Sequence, residues 1–188
     1  MPVAPEDRPP RLLIVAGRPG SGKTTLAQAL AGAIRCPAFC RDAFKEGYVH
    51  TTGERDGDAN RRVRDAFFAA LATALEHDIT CVAESAFQHQ RWADGLATLR
   101  MPYEAKVILC DIPPELARER HIQRGLEDPD RLRFHNDGAV HAAREGRSVP
   151  LATFDPPDLA VPTLRVDTTR GYQPHLEAIC AFCLEGRG

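Results

Sequence analysis

A chain of 188 residues with 43% hydrophobic and 27% charged residues is long enough for one substantial core and has the composition of an ordinary globular protein. A formal net charge of −2 argues against a surface built to neutralise many backbone phosphates, which disfavours a nucleic-acid-binding module. No apolar run approaches the roughly 18 residues of a membrane span, and residues 1–10 carry acidic residues and prolines where a signal peptide would carry an apolar core. The expectation is a cytoplasmic protein with a tail at 1–10, a single domain over 11–188, and a monomeric or homodimeric state. The six cysteines, Cys36, Cys40, Cys81, Cys110, Cys180 and Cys183, fall mostly in apolar strand-like or helical stretches and read as reduced core residues. Cys180 and Cys183 have the spacing of half a metal or redox site, but no second pair matches them and their segment reads as an amphipathic helix.

In chain order, Arg11 to Ala16 has the length and branching of a buried strand. It runs into Gly17-Arg18-Pro19-Gly20-Ser21-Gly22-Lys23-Thr24, a full G-x-x-x-x-G-K-[ST] sequence, and Thr24 to Ala31 continues with helix formers at helical spacing. Four fixed positions would match by accident in roughly 1% of chains this long, before the strand and helix on either side are counted. The pattern is therefore read as a phosphate-binding loop. Its glycines permit positive φ, which lets backbone N–H groups turn inward around a phosphate at the positive end of a helix. Lys23 would reach the β- and γ-phosphates of ATP, and the Thr24 hydroxyl would take one position on Mg²⁺.

Pro37 to Cys40 reads as a second strand ending in Arg41-Asp42-Ala43-Phe44-Lys45. Tyr48 to Asn60, polar and glycine-containing, predicts a mobile loop or short helical turn. Val63 to Glu76 is helical, with an apolar stripe at Val63, Phe67, Ala70, Leu71, Ala74 and Leu75. Ile79 to Ala83 is a third strand carrying Glu84 and Ser85 at its end, and Gln88 to Arg100 a helix. Lys106 to Cys110 is a fourth strand closed by Asp111, and Pro114 opens a helix over Glu115 to Arg124. Gly125 to Pro150, rich in Arg, Asp, Gly and His, suits an exposed, partly helical flap. Leu164 to Asp167 is the last strand and Tyr172 to Leu184 the last helix. The alternation predicts an α/β three-layer sandwich with a mostly parallel, five-stranded sheet. In such a sheet ligands bind beyond the carboxyl ends of the strands, where the phosphate loop, Asp42, Glu84 and Asp111 should converge.

With these motifs in this order, the chain resembles P-loop kinases of the nucleoside-monophosphate-kinase-like type, particularly the group containing zeta toxins, chloramphenicol phosphotransferase and polynucleotide 5′-hydroxyl kinases. The resemblance rests on Gly17 to Thr25, on Arg41 to Lys45, on Ala83 to Phe87, and on Asp111 to Pro113 with Arg118, Arg120 and Arg124. It implies a P-loop NTPase fold with a LID-like flap and ATP-dependent phosphoryl transfer to a hydroxyl. It also implies an aspartate after the second strand as general base, matched by Asp42, with flap arginines clamping the transferred group. The end of the third strand departs from the pattern, reading Glu84-Ser85 where many relatives have an aspartate followed by a small residue.

Each candidate has a structural alternative. Asp42 is a general base or the N-cap of a helix starting near Ala43. Lys45 contacts substrate or is a solvated helical side chain. Glu84 holds Mg²⁺ through water, binds a substrate hydroxyl, or sits on a surface loop. Arg120 and Arg124, four apart and so on one helical face, either project together toward the γ-phosphate or pair with Glu119 and Glu127. Arg131 and Arg133 share that choice. Asp111 reads as a helix cap, and His135 and His141 as exposed flap residues. The leading reading is a kinase of a small hydroxylated molecule (sugar, nucleoside or antibiotic), the alternatives being a polynucleotide 5′-hydroxyl kinase and an NTP-dependent switch without a small-molecule acceptor.

Overall fold

The computed structural model describes residues 8–128, 131–135 and 137–186. Most of the expected tail and three flap positions, Pro129, Asp130 and Asn136, lie outside the described residues. Five strands, β1 (Arg11–Ala16), β2 (Ala38–Cys40), β3 (Cys81–Ser85), β4 (Glu104–Asp111) and β5 (Thr163–Asp167), form one sheet in the order β2-β3-β1-β4-β5. Every neighbouring pair is parallel. Parallel neighbours need crossover connections, and helices supply them: α1 (Lys23–Ile34), α2 (Arg41–Thr52), α3 (Gly57–Glu76), α4 (His89–Leu96), α5 (Pro114–Glu127), α6 (Arg131–Phe134) and α7 (Gly138–Arg144), with α8 (Leu176–Leu184) following β5.

The central strand explains the layering. β1 is apolar from Leu12 to Ala16 because both its faces are covered, and the two-residue side-chain period sorts it between two cores. Leu12, Ile14 and Ala16 join Phe67, Phe68 and Leu71 of α3 and Trp92 of α4. Leu13 and Val15 join Leu26, Ala27 and Leu30 of α1 and Ile179 and Cys183 of α8. The register Ala16↔Ser85 and Cys40↔Glu84 brings the ends of β1, β2 and β3 to one edge, beside which α1 and α2 begin.

The stretch Tyr48 to Asn60 corrects the expected loop. α2 runs through Thr52 and α3 already starts at Gly57, leaving a short connection. Gly53 ends α2 with φ 72°, its N–H bonded to the Val49 carbonyl, and Asp56 caps α3 by accepting from the Ala59 N–H at 2.8 Å. Gly47 sits inside α2 in open space, and the segment is polar because only Lys45 and Val49 of α2 are buried. Asp111 is likewise no cap, since Pro113 holds the N-cap position of α5 and the Asp111 carboxylate pairs with Arg165 at 3.2 Å. α8 starts later than expected, because Gln173 is held in a bridge to Asp167 beyond β5.

The flap comprises the end of α5, α6 and α7. A Cβ on Gly125 of α5 would lie 2.5 Å from a Val140 methyl, so the two helices meet at a contact only glycine allows. Asp137 caps α7, accepting from the N–H groups of Ala139 at 3.1 Å and Val140 at 3.3 Å, and pairs with His121 of α5. Burial pushes its carboxyl up, but the His121 hydrogen bond and charge and the two amides outweigh burial and hold it at about 2. We expect Asp137→Ala to remove about 1 kcal/mol, the usual value of a lost cap, and to raise amide exchange over residues 138–144. Asp137→Asn should keep the cap and lose only the pairing with His121. Because the folded pKa is depressed, that stabilisation is present above an ordinary aspartate pKa of about 4 and is lost as the pH falls toward about 2. Thermal unfolding of the three proteins between pH 3 and 7 checks this.

Candidate active site

The loop after β1 is shaped by close approach. Gly20 and Gly22 have φ of 84° and 79°, and a Cβ on Gly20 would lie 1.9 Å from the Ala117 carbonyl oxygen of α5. A Cβ on Gly17 would lie 2.5 Å from Ser21 Oγ. The loop is clasped from the end of β5: the Thr168 hydroxyl donates to the Ser21 carbonyl at 2.7 Å, and the Thr168 N–H donates to the Asp111 carbonyl at 3.1 Å. α1 starts from Gly22 with no side chain capping it and no acidic residue in its first turn. Its leading N–H groups are therefore left for an external anion, which suits a phosphate at the positive end of the dipole.

Lys23, the first residue of α1, is 7% exposed and points at Glu84, 2% exposed, with Nζ 3.6 Å from Oε1. Burial pushes the Glu84 carboxyl above the ordinary range; Lys23 and hydrogen bonds from Thr24 and Lys23 oppose this, and Asp42 adds to it. Glu84 Oε2 and Ser21 Oγ are both buried with no hydrogen-bond partner among the described residues. An orphaned carboxylate oxygen beside the Thr24 hydroxyl, at the start of a helix that no side chain caps, fits a nucleotide with its Mg²⁺, since that ion keeps waters and takes few protein ligands. Glu84 thus ends a buried strand and is not a loop residue.

Asp42 lies in the first turn of α2, where the N-cap position belongs to Cys40, so the cap alternative does not describe it. Its oxygens face Arg41 Nη1 at 3.5 Å and, from the flap, Arg131 Nη2 at 3.2 Å. Burial pushes its carboxyl up, but His135, Lys23, Arg41 and Arg131 together outweigh burial and hold it below the ordinary carboxylate range. A cavity of about 310 Å³ brings Lys23, Asp42, Lys45, Arg124, Arg131 and His135 to one space. Lys45 is 7% exposed, so it is no solvated helical side chain, and burial followed by Arg41 pulls its pKa down.

Arg120 does not share the destination of Arg124. Its guanidinium donates to the carbonyls of Thr168 at 3.1 Å and Thr169 at 2.7 Å, toward the β5 side of the loop, while Arg124 faces Lys23 and Asp42. Neither arginine makes an ion pair with Glu119 or Glu127 among the described residues. Arg18 reaches the Ala152 carbonyl at 3.4 Å and lies over the Phe154 ring, Pro19 lines the cavity, and Thr25 is exposed on α1. His135, expected as exposed, is tied to Glu46 of α2 at 3.0 Å, and the His50 and Phe134 rings meet at 5.0 Å, so the flap rests on α2. Sequence reasoning missed the contacts of Arg41, His121 and His135, whose only signal was a location near the second strand end, on the helix before the flap or in the flap. Cys183 is buried, its thiol pushed up to about 12 by burial and then by Cys180, and both cysteines of that pair are free thiols on α8.

These features can be set beside known proteins. The family model described as AAA domain matches residues 12–147, from β1 through the flap. This chain belongs to the AAA domain family. Within that family its fold is of the nucleoside-monophosphate-kinase-like P-loop type. It is similar to the crystal structure of a protein from Chloroflexus aurantiacus provisionally described as a kinase, 28% identical, covering 94% of both chains with a TM-score of 0.67. It shares its fold with a sugar kinase from Janibacter sp., 15% identical, over 93% of this chain and 94% of that one with a TM-score of 0.61. It is also 46% identical over 65 residues to the ATP-dependent zinc metalloprotease FtsH 3 of Sphaerobacter thermophilus, a match spanning 34% of this chain and 12% of that protein. Zinc chemistry is not carried across by so short a match: the chain has no His-Glu-x-x-His sequence, and the described residues hold no group of three potential metal-binding side chains. No helix among the described residues is long and apolar enough to cross a membrane.

Proposed function

We propose that this protein transfers the γ-phosphate of MgATP to a hydroxyl group of a small molecule. The observation that supports the reading is the cavity that Lys23, Asp42, Arg124 and Arg131 line together, since a carboxylate there would face a γ-phosphate presented by the phosphate loop. Phosphoryl transfer demands positive charge, an oriented acceptor and exclusion of water more than covalent help from the protein.

The loop N–H groups and Lys23 bind the β- and γ-phosphates, and Arg124 and Arg131 add charge from the flap. Thr24 directly and Glu84 through water would hold Mg²⁺, which would supply neutralisation of phosphate charge. Asp42 accepts the hydrogen bond of the acceptor hydroxyl and takes its proton as the oxygen–phosphorus bond forms; the bond to the β–γ bridging oxygen breaks and ADP leaves. A carboxylate gripped by two guanidinium groups is a weak base, so its contribution is largely orientation, which suffices for a loose transition state. The flap arginine assigned to the transferred group is Arg124, with Arg131 in place of Arg120.

The test is a thermal-shift screen of sugars, nucleosides, sugar acids and hydroxylated antibiotics with Mg²⁺ and a non-hydrolysable ATP analogue, followed by ³¹P NMR of each hit with ATP. A phosphorylated product, with ADP formed only when acceptor is present, is the expected result. ADP release at the same rate without any acceptor would replace the kinase by an ATPase switch.

A further inference from the structure

A second cavity, of about 470 Å³, shares Arg41, Asp42 and Ala86 with the first but is lined by no residue of the phosphate loop. Four arginines line it, Arg41 from α2, Arg61 and Arg64 from α3 and Arg91 from α4, against one carboxylate, Asp42. That concentration stands out in a protein whose formal net charge is −2. Three apart on α3, Arg61 and Arg64 project to one face.

Local pairing does not account for the cluster. Arg61 meets Asp58 at 2.8 Å and Arg64 meets Asp65 at 2.9 Å, but these pairs are exposed, and exposed pairs hold their partners weakly. The Arg91 guanidinium has no ion-pair or hydrogen-bond partner among the described residues, only the backbone N–H being bonded, to the Gln88 carbonyl. Arg41, 16% exposed at its side chain, donates to Asn60 at 3.0 Å and faces Asp42, yet its buried Nε has no partner. The floor is of another kind: Ser85, Ala86 and Phe87 of the β3 end supply a small, mostly apolar surface. A neutral polyol would leave these guanidinium groups unpaired as it displaced their water, whereas an anion would meet them with charge-assisted hydrogen bonds.

Resting on the kinase reading above, we propose that the acceptor is an anionic hydroxylated small molecule, whose carboxylate or phosphate is held by Arg64 and Arg91 while its hydroxyl points to Asp42. The carboxylate and the phosphate share one chemistry, a planar or tetrahedral oxyanion facing guanidinium forks.

The test uses the full chain saturated with AMP-PNP and Mg²⁺, so that the phosphate loop is filled, and titrates D-gluconate, inorganic phosphate and, as neutral control, D-glucose by calorimetry. Binding of D-gluconate or phosphate at least tenfold tighter than D-glucose is expected, and which anion binds tells carboxylate from phosphate. Arg64→Gln/Arg91→Gln should weaken that anion on the order of 10- to 100-fold, the usual range for lost charge-assisted bonds, while affinity for a fluorescent N-methylanthraniloyl-ATP, which also reports an intact fold, stays within threefold. Equal binding of anions and D-glucose, or unchanged anion binding in the double variant, overturns the proposal and leaves the nucleotide site standing. Absence of nucleotide binding in the unmodified protein sinks the kinase reading instead; anion affinity lost with Arg64 and Arg91 would then still mark this cavity as an anion site.

Discussion

Lys23→Met is expected to abolish phosphoryl transfer, lowering the rate by on the order of 10³-fold or more, because no other side chain of the loop brings a cation to the β- and γ-phosphates. The substitution has a second effect that must be separated from the first. Lys23 is also the cation beside buried Glu84, and breaking a buried pair costs about 3–5 kcal/mol when the remaining charge has no escape. Glu84 has one, since burial already pushes its carboxyl upward and it can take a proton. The stability loss should therefore fall below that range and grow as the pH rises. Lys23→Met/Glu84→Gln removes the stranded charge and should recover most of the lost thermal stability without recovering transfer. Near-normal turnover in Lys23→Met would remove the kinase assignment, whereas recovery of turnover in the double variant would show that folding alone was lost.

Asp42→Asn is expected to lower kcat by about 10²–10⁴-fold while ATP affinity holds, the lower end applying if the carboxylate mainly orients the acceptor. Asn keeps the shape and an acceptor oxygen but cannot take up a proton at neutral pH. Stability should change by on the order of 1 kcal/mol, because Asp42 caps nothing and its pairs with Arg41 and Arg131 are partly exposed. The depressed pKa carries its own prediction: a rate limb caused by Asp42 protonation should appear only below the ordinary carboxylate range, leaving kcat flat on that account through neutrality. A kcat within about threefold of the unsubstituted enzyme would make Asp42 a structural residue and Glu84 the next candidate for the base.

The phosphate loop was legible because its chemistry is local. Four spaced positions, a strand before them and a helix after them define the backbone path whatever surrounds it, and the fivefold alternation of apolar and helical segments carries the parallel sheet with it. That Asp42 and Glu84 lie at one edge followed from the same logic, since the carboxyl ends of parallel strands share one edge. What failed to show was whatever depends on where a long side chain ends. Arg120 and Arg124 have the same helical spacing and different partners, Thr168 and Thr169 for one and the Asp42 cavity for the other. Lys45 and Glu46 are neighbours in α2, yet one lines the cavity and the other holds His135 of the flap. The polar stretch from Tyr48 to Asn60 concealed two helix ends, because a helix that buries one narrow side has too few apolar residues to show its period. By itself the sequence determined the phosphate loop, the sheet and the strand ends that meet there, all set by backbone geometry and short-range pattern. Only the tertiary structure decided which arginines face Asp42 and which line the second cavity, since a guanidinium reaches its partner across segments that are distant in the chain and leave no trace in its spacing.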